Sequence, residues 1–402
     1  MPQGALSDLK IIECAQLVSG PFCAKVLADM GAEVIKIEEP GKGDEARRKE
    51  PFFQDNPHPE RSALFIYLNN SKLGVTLNLR TITGRELLYR LAEKADVLVT
   101  NYRPKEAQEL GLGYEKLKQM NPRLILTCVT PFGQTGPWRD YAATDLVSFH
   151  AGGVGYETPG DVDDPSVETP LKAAGRQADF LAGLAGALAT MMAVFGRRLT
   201  GQGSLVDVSE QEAVLSILRP TMARYIYEHY VTTRITPLFR QILPTKDGWV
   251  SIEGWNEPAW WEQFKKVMGC PEWAENELFR DREGRKQNWD ALEFYLKEWT
   301  SQRTKEEIAR ACQSKHVPSF PHYTTDELLN WQQLTARGFW VEIDHPETGK
   351  VIYPGPFCRF SETPMQVRSP APFLGQHNEE VFCGRLGLPR EDLARLRGLG
   401  IL

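Results

Sequence analysis

The sequence predicts an open α/β fold with a parallel sheet, interrupted in mid-chain by a smaller domain. Two observations carry this. Short apolar runs alternate with segments of helical period up to residue 212, and the texture then changes to a block rich in tryptophan and charged helical stretches. Residues 9–12 are the first apolar run, and Ser19-Gly20-Pro21 breaks it. Phe22, Val26, Leu27 and Met30 follow at helical spacing, Gly31 ends that helix, and residues 34–37 supply a second strand. Strands are expected again at 74–79, 97–100, 124–129 and 206–209, with helices at 84–95, 114–120 and 178–195. Residues 151–170, rich in Gly, Pro and Asp, read as a long surface loop. The tail has short strands and a closing helix near 391–396. The expected parts are 1–212, the N-terminal part of a large domain; 213–330, a small domain with its linkers; and 331–402, a C-terminal part that completes the large domain.

At 402 residues the chain exceeds what one core usually serves, which supports two domains. Its formal charge of −6 lacks the basic excess that nucleic-acid binding needs. The opening Met-Pro-Gln-Gly-Ala-Leu-Ser-Asp has no basic and apolar signal pattern. The weakly polar run 180–196 is short for a membrane span and rich in Ala and Gly, so a core helix is the expectation. Seven scattered cysteines without a CxxC pair argue against a disulfide framework and a zinc site, and fit buried thiols in a reducing cytoplasm. The histidines show no metal-ligand pairing, and no metal is expected.

Several residues could carry chemistry. The first βα turn, Val18-Ser19-Gly20-Pro21, stands where α/β folds place an anion-binding helix start, although the GxGxxG fingerprint of a dinucleotide site is absent. Lys72, Asn101, Arg103, Lys105 and Arg139 follow expected strands, where ligands bind in an open sheet, and as a group could hold phosphates. Asp179 opens the apolar helix. It is either an acid favoured by the helix dipole or a carboxylate nucleophile aimed into a cleft. Trp249, Trp255, Trp260 and Trp261 read as core, with an apolar pocket as the alternative.

A series of motifs then runs nearly end to end. Gly20-Pro21 leads to the stretch from Leu27-Ala28-Asp29-Met30-Gly31 to Lys36-Ile37-Glu38, with Gly43-Asp44 and Arg47. Asn70-Ser71-Lys72, Asn101-Tyr102-Arg103-Pro104, Leu110-Gly111-Leu112-Gly113-Tyr114 and Phe132-Gly133-Gln134-Thr135-Gly136-Pro137 come next. Thr200-Gly201-Gln202-Gly203, Val206-Asp207-Val208-Ser209 and the closing Pro370-Ala371-Pro372-Phe373-Leu374-Gly375 follow in order. In number, order and spacing these resemble the family III CoA-transferases, the group of formyl-CoA and carnitine CoA-transferases, also called CaiB/BaiF.

The resemblance implies a CoA-transferase acting on acyl-CoA and small carboxylic acids, with coenzyme A as cosubstrate and no metal. The family's nucleophilic aspartate falls on Asp179, in Ala178-Asp179-Phe180-x-x-Gly183. It would attack the donor thioester to give an aspartyl anhydride, which the acceptor acid and CoA thiolate resolve. Ser19, Gly20, Lys72, Asn101, Tyr102, Arg103 and Arg139 are the implied CoA-binding residues, and Gly152-Gly153 or Gly254 the oxyanion donors. The implied architecture is a Rossmann-like large domain with a smaller central α+β domain, in a cytoplasmic, interlocked ring dimer that touches neither nucleic acid nor membrane. A heteromer with a related subunit, in which this chain binds CoA without catalysis, is one alternative. The other is an α-substituted acyl-CoA racemase or isomerase, whose pattern places His before Asp145, where this chain has Thr144. Glu39 replaces an adenine-contacting arginine of some members. Glu253-Gly254-Trp255-Asn256-Glu257-Pro258 replaces the glycine-rich loop of the formyl branch, which points to an acid larger than formate, aromatic or dicarboxylic.

Overall fold

A computed structural model describes residues 4–234 and 241–402; the first three residues of the opening segment lie outside the described residues. The chain divides into two units. The larger comprises Met1–Pro159, Pro170–Thr233 and Gly338–Leu402, and the smaller Gly160–Thr169 and Arg234–Arg337.

In chain order the larger unit holds β1 (Lys10–Cys14), α1 (Ser19–Asp29), β2 (Glu33–Glu38), α2 (Ala63–Asn69), β3 (Leu73–Thr76), α3 (Ile82–Ala92) and β4 (Val97–Thr100). Then come α4 (Pro104–Glu109), α5 (Tyr114–Met120), β5 (Ile125–Thr130), α6 (Asp145–Ala151), α7 (Gln177–Thr200), β6 (Leu205–Ser209) and α8 (Glu210–Leu215). The six strands form one sheet in the order β3-β2-β1-β4-β5-β6, every pairing parallel. This is the doubly wound order, and the topological switch lies between β1 and β4. β4 and β5 are buried along their whole length because both faces of the sheet are covered there. Leu88, Leu98 and Phe382 pack on one face, and Cys23, Ala28 and Val97 on the other. A strand pair, Trp340–His345 with Gly349–Pro354, and the helix Arg390–Gly398 come from the C-terminal part.

The sequence pattern missed α2, α4 and α6. Each is seven residues or fewer, too short to show a period, and α2 is announced only by its cap, where Ser62 Oγ accepts from the Phe65 N–H. The third strand ends at Thr76, and residues 77–80 leave the sheet at its carboxyl edge.

Helix α7 is long and apolar enough to cross a bilayer by length and composition alone. One face is buried, through Ala178, Ala182, Gly183, Gly186 and Ala187, while Leu188, Met192 and Phe195 are exposed on the other. The small residues set its distance from α1. A Cβ at Gly183 would stand 2.6 Å from the Ser19 carbonyl oxygen, and one at Gly186 would stand 2.8 Å from Val129. The rings of Phe22 and Phe180 meet edge to face at 4.8 Å, and the Thr127 and Thr190 hydroxyls pair at 2.7 Å. Asp179 is thereby fixed close to the β1–α1 turn.

Beneath the carboxyl edge lies a buried ion network. Lys36 pairs with Glu13 and Asp44, each at 2.7 Å, and Lys72 pairs with Glu13 at 2.6 Å. Arg47 grips Glu38 through two nitrogens at 2.7 and 2.8 Å and also meets Glu60.

The smaller unit is α+β. Ile242–Thr245, Gly248–Ile252 and Ser319–Pro321 form a three-stranded antiparallel sheet, covered by helices that include Pro258–Val267, Trp289–Ser301 and Lys305–Ser314. Trp255 and Trp261 are buried in its core with Phe264 and Trp289, so the core reading holds for those two. Trp260 is partly buried and Trp249 half-exposed. Gly254 is a packing glycine, because a Cβ there would stand 2.7 Å from Phe264 Cγ.

Gly183→Ala should cost roughly 1–3 kcal/mol through overpacking against Ser19. Gly196→Ala, which meets nothing within 4 Å on the same helix, should add stability of about 1 kcal/mol from helix propensity. Thermal unfolding of the two variants checks this; an equal rise in both midpoints would contradict the close approach.

Candidate active site

A cavity of about 510 Å³ opens at the carboxyl edge of the sheet. Its walls come from the ends of all six strands, from Leu77 and Arg80 after β3 to Glu210 after β6. Five strand spacings of about 4.8 Å put those ends about 24 Å apart, so the cavity is long rather than round. Lys42, Lys49 and Arg80 line it on the β2–β3 side together with Glu38, Glu39 and Glu45, and Arg176 stands with Asp145, Asp179 and Glu210 on the β5–β6 side.

The central wall is the topological switch. Asn101, just after β4, accepts the Gln16 N–H at 2.9 Å and donates to the Gln16 carbonyl at 2.7 Å and to Ser19 Oγ at 3.3 Å. Gln16 Nε2 donates to the Tyr102 hydroxyl at 2.7 Å. Leu17 holds a left-handed backbone at φ 61°, unusual for its type, and its N–H donates to Asp44 Oδ1 at 2.9 Å. Strain of this kind persists where surroundings over-determine it, and it gathers at functional sites.

Asp179 lies in the first turn of α7. Its carboxylate meets Arg176 Nη1 at 3.1 Å, and its N–H donates to Asp145 Oδ1 at 3.1 Å. Lys172 pairs with Asp145 Oδ2 at 2.7 Å. Ser148 Oγ donates to Glu210 Oε2 at 2.7 Å. Burial and the neighbouring Asp145 push the Asp179 carboxyl up to about 6, against the pull of Arg176 and Lys172. Burial and the Asp179 charge push Glu210 up to about 7, against the hydroxyls of Ser148 and Ser19. The site thus sets a cation-paired carboxyl beside a second buried one, both with raised proton affinity.

The residues singled out from sequence divide in two. Ser19, Asn101, Tyr102, Arg103 and Asp179 line the cavity. Gly20, Lys72 and Arg139 do not. Gly20 is buried where a Cβ would stand 2.4 Å from the Ala15 Cβ, so it is a packing residue. The Lys72 ammonium is fully buried, held by Glu13, Asn69 and the Pro21 carbonyl, and its charge serves the ion network instead of a phosphate. Arg139 is exposed and pairs with the adjacent Asp140. Gly152, offered as an oxyanion donor, packs against Val214. Sequence reasoning passed over Gln16, Arg176 and Glu210 as site residues. Gln16 and Glu210 follow strand ends, the position that flags ligand contacts in an open sheet, and Arg176 stands three residues before Asp179.

Known proteins resemble the chain over most of its length. The profile of CoA-transferase family III matches residues 6–378. The succinyl-CoA–D-citramalate CoA-transferase of Chloroflexus aurantiacus is 32% identical over 100% of this chain and 99% of its own length. The succinyl-CoA–L-malate CoA-transferase alpha subunit of the same species is 31% identical over 99% of this chain and 92% of its own. A CAIB/BAIF family protein from Brucella suis superimposes with a TM-score of 0.83 at 27% identity, covering 96% of this chain and 100% of that one.

The raised Asp179 carboxyl has a consequence for stability. A group whose folded-state value lies above its unfolded one contributes fully below the unfolded value, here near 4, and that contribution is lost as pH rises through about 6. Asp179→Asn removes the titration. It should be more stable than the parent at pH 8 by roughly 3 kcal/mol, two pH units at about 1.4 kcal/mol each, with the gap closing by pH 4. Denaturation at the two pH values measures it; a variant less stable at pH 8 would mean that Arg176 outweighs burial.

Proposed function

The chain belongs to CoA-transferase family III, and on that premise we propose that it moves CoA from an acyl-CoA donor to a carboxylic acid acceptor through a mixed anhydride on Asp179. A carboxylate oxygen of Asp179 attacks the donor thioester carbon. The C–S bond breaks, CoA leaves as thiolate, and the acyl group stays on Asp179. The acceptor carboxylate attacks the Asp179 carbonyl carbon and expels the donor acid, giving a second mixed anhydride. CoA thiolate attacks the acceptor's acyl carbon, forms the new thioester and releases the Asp179 carboxylate. Covalent storage on the enzyme keeps the thioester's free energy from being lost to water.

One observation carries the reading: Asp179 is a nearly buried, Arg-paired carboxylate at one end of a long cavity whose other end is lined by Lys42, Lys49 and Arg80. CoA has phosphates at one end and its thiol at the far end of a thin arm, and on this reading the thiol lies toward Asp179 and the phosphates toward Lys42, Lys49 and Arg80. Ser19, Asn101, Tyr102 and Arg103 stand along the way. Proton abstraction beside the thioester, as in a racemase, would want a base where Thr144 stands, and a hydroxyl is a poor base near neutral pH. The same reading has the enzyme cytoplasmic and dimeric, as interlocked rings of one chain or of two related chains. The alpha-subunit name of the malate relative keeps the second arrangement in view, and exchange by the chain purified alone separates the two.

Incubation with a panel of acyl-CoA donors, quenched with hydroxylamine, should leave a hydroxamate on Asp179 detectable by intact mass and peptide mapping. Asp179→Ala should lose the adduct and slow exchange by about 10⁴ or more, the scale seen when a covalent nucleophile is removed. Normal turnover by Asp179→Ala would overturn the mechanism.

A further inference from the structure

We infer that Arg176 is a specificity-determining residue: its guanidinium receives the distal carboxylate of a dicarboxylic acyl group once Asp179 has been acylated. The inference rests on Asp179 being the nucleophile.

In the resting site Arg176 lines the cavity, about one-third exposed, with its Nη1 3.1 Å from Asp179 Oδ2. The nearby carboxylate of Asp145 is engaged by Lys172 at 2.7 Å and by the Asp179 N–H at 3.1 Å. Acylation changes this balance. The negative charge of Asp179 departs on the CoA thiolate and a neutral anhydride remains. The guanidinium cannot lose its proton, so it loses its counter-ion at the moment the acyl group is bonded beside it. An acyl group with a second carboxylate two or three carbons along restores the pair. A simple fatty acyl group leaves a cation facing a neutral anhydride in a partly desolvated cavity, which is unfavourable.

The same contact protects the intermediate. The free carboxylate of a succinyl group on Asp179 can attack its own acyl carbon, closing a five-membered cyclic anhydride and expelling the Asp179 carboxylate. Water then opens the ring to succinate, and the transferable acyl group is lost. A distal carboxylate held by Arg176 is turned away from that attack.

The test compares succinyl-CoA with butyryl-CoA, which differ only in a terminal carboxylate against a methyl group. Exchange of labelled CoA into each thioester reports anhydride formation without an acceptor. The parent should favour the succinyl donor in kcat/KM by roughly 10- to 100-fold, the scale of a hydrogen bond to a charged group. Arg176→Gln should reduce that ratio to near unity and raise the release of free succinate per exchange event, and Arg176→Lys should restore much of the preference. A parent without preference, or a ratio that Arg176→Gln leaves unchanged while hydroxylamine still traps the Asp179 adduct, would overturn the inference alone. Failure to trap an adduct with any donor would overturn the nucleophile assignment and this inference together.

Discussion

One ammonium group organises the carboxyl edge of the sheet. Lys36 is fully buried on β2, between Glu13 of β1 and Asp44 of the following loop. Burial opposes its charge, yet the carboxylates of Asp44, Glu13 and Glu38 prevail and hold it protonated. Stripping one partner from a buried pair costs about 3–5 kcal/mol because the other charge is stranded. The consequence reaches the cavity directly. The Asp44 carboxylate that pairs with Lys36 also accepts the N–H of Leu17, and so holds the left-handed turn that lines the site. Glu13 extends the network to Lys72, whose ammonium is held by the Pro21 carbonyl in the first turn of α1. Strands β1 and β2, the residue that leads into β3 and the first helix are thus locked together by buried charges.

Packing completes what the ions begin. Gly183 and Gly186 let α7 lie against α1 and β5, and the Phe22–Phe180 contact fixes the first turn of α7. The Asp179 carboxylate and the turn at residues 16–19 therefore face one cavity although more than 150 residues separate them in sequence. A parallel sheet brings such distant segments together because every strand ends on the same side.

The sheet was legible in the sequence because its strands carry short apolar runs and its main helices are periodic. Residues 97–100 and 114–120 read from sequence match β4 and α5 to the residue. The short helices were not legible, since six or seven residues span fewer than two turns. At the site, Asp179 and Asn101 were legible because they follow a helix-start or strand-end pattern. Lys72 looked like a phosphate ligand for the same reason, and its true partner, Glu13, lies 59 positions earlier on another strand, where no local pattern could announce it. The motif residues Lys36, Asp44, Arg47 and Lys72 all belong to the ion network, so a signature made of charged residues can report a scaffold as readily as a binding site. Glu210 was overlooked because a glutamate after a strand is usually a solvated helix-start acid; only its burial against Ser148 sets it apart.

The mechanism proposed above asks two opposed things of Asp179. It must attack a thioester, which favours a basic carboxylate, and it must later depart from an anhydride, which favours a weakly basic one. Burial and Asp145 raise its basicity, while Arg176 and Lys172 restrain it, and the carboxyl settles at about 6. That lies above an ordinary aspartate and below a free thiol. Loss of CoA thiolate from the first tetrahedral adduct is therefore the harder departure, and the forward step needs help that the carboxylate alone does not give. The help must come from contacts that improve as the anhydride forms. A guanidinium that exchanges the Asp179 charge for a charge on the acyl group is such a contact. In the resting site it pairs with the Asp179 carboxylate, and under the proposed mechanism it serves the intermediate only when the acyl group carries the matching carboxylate.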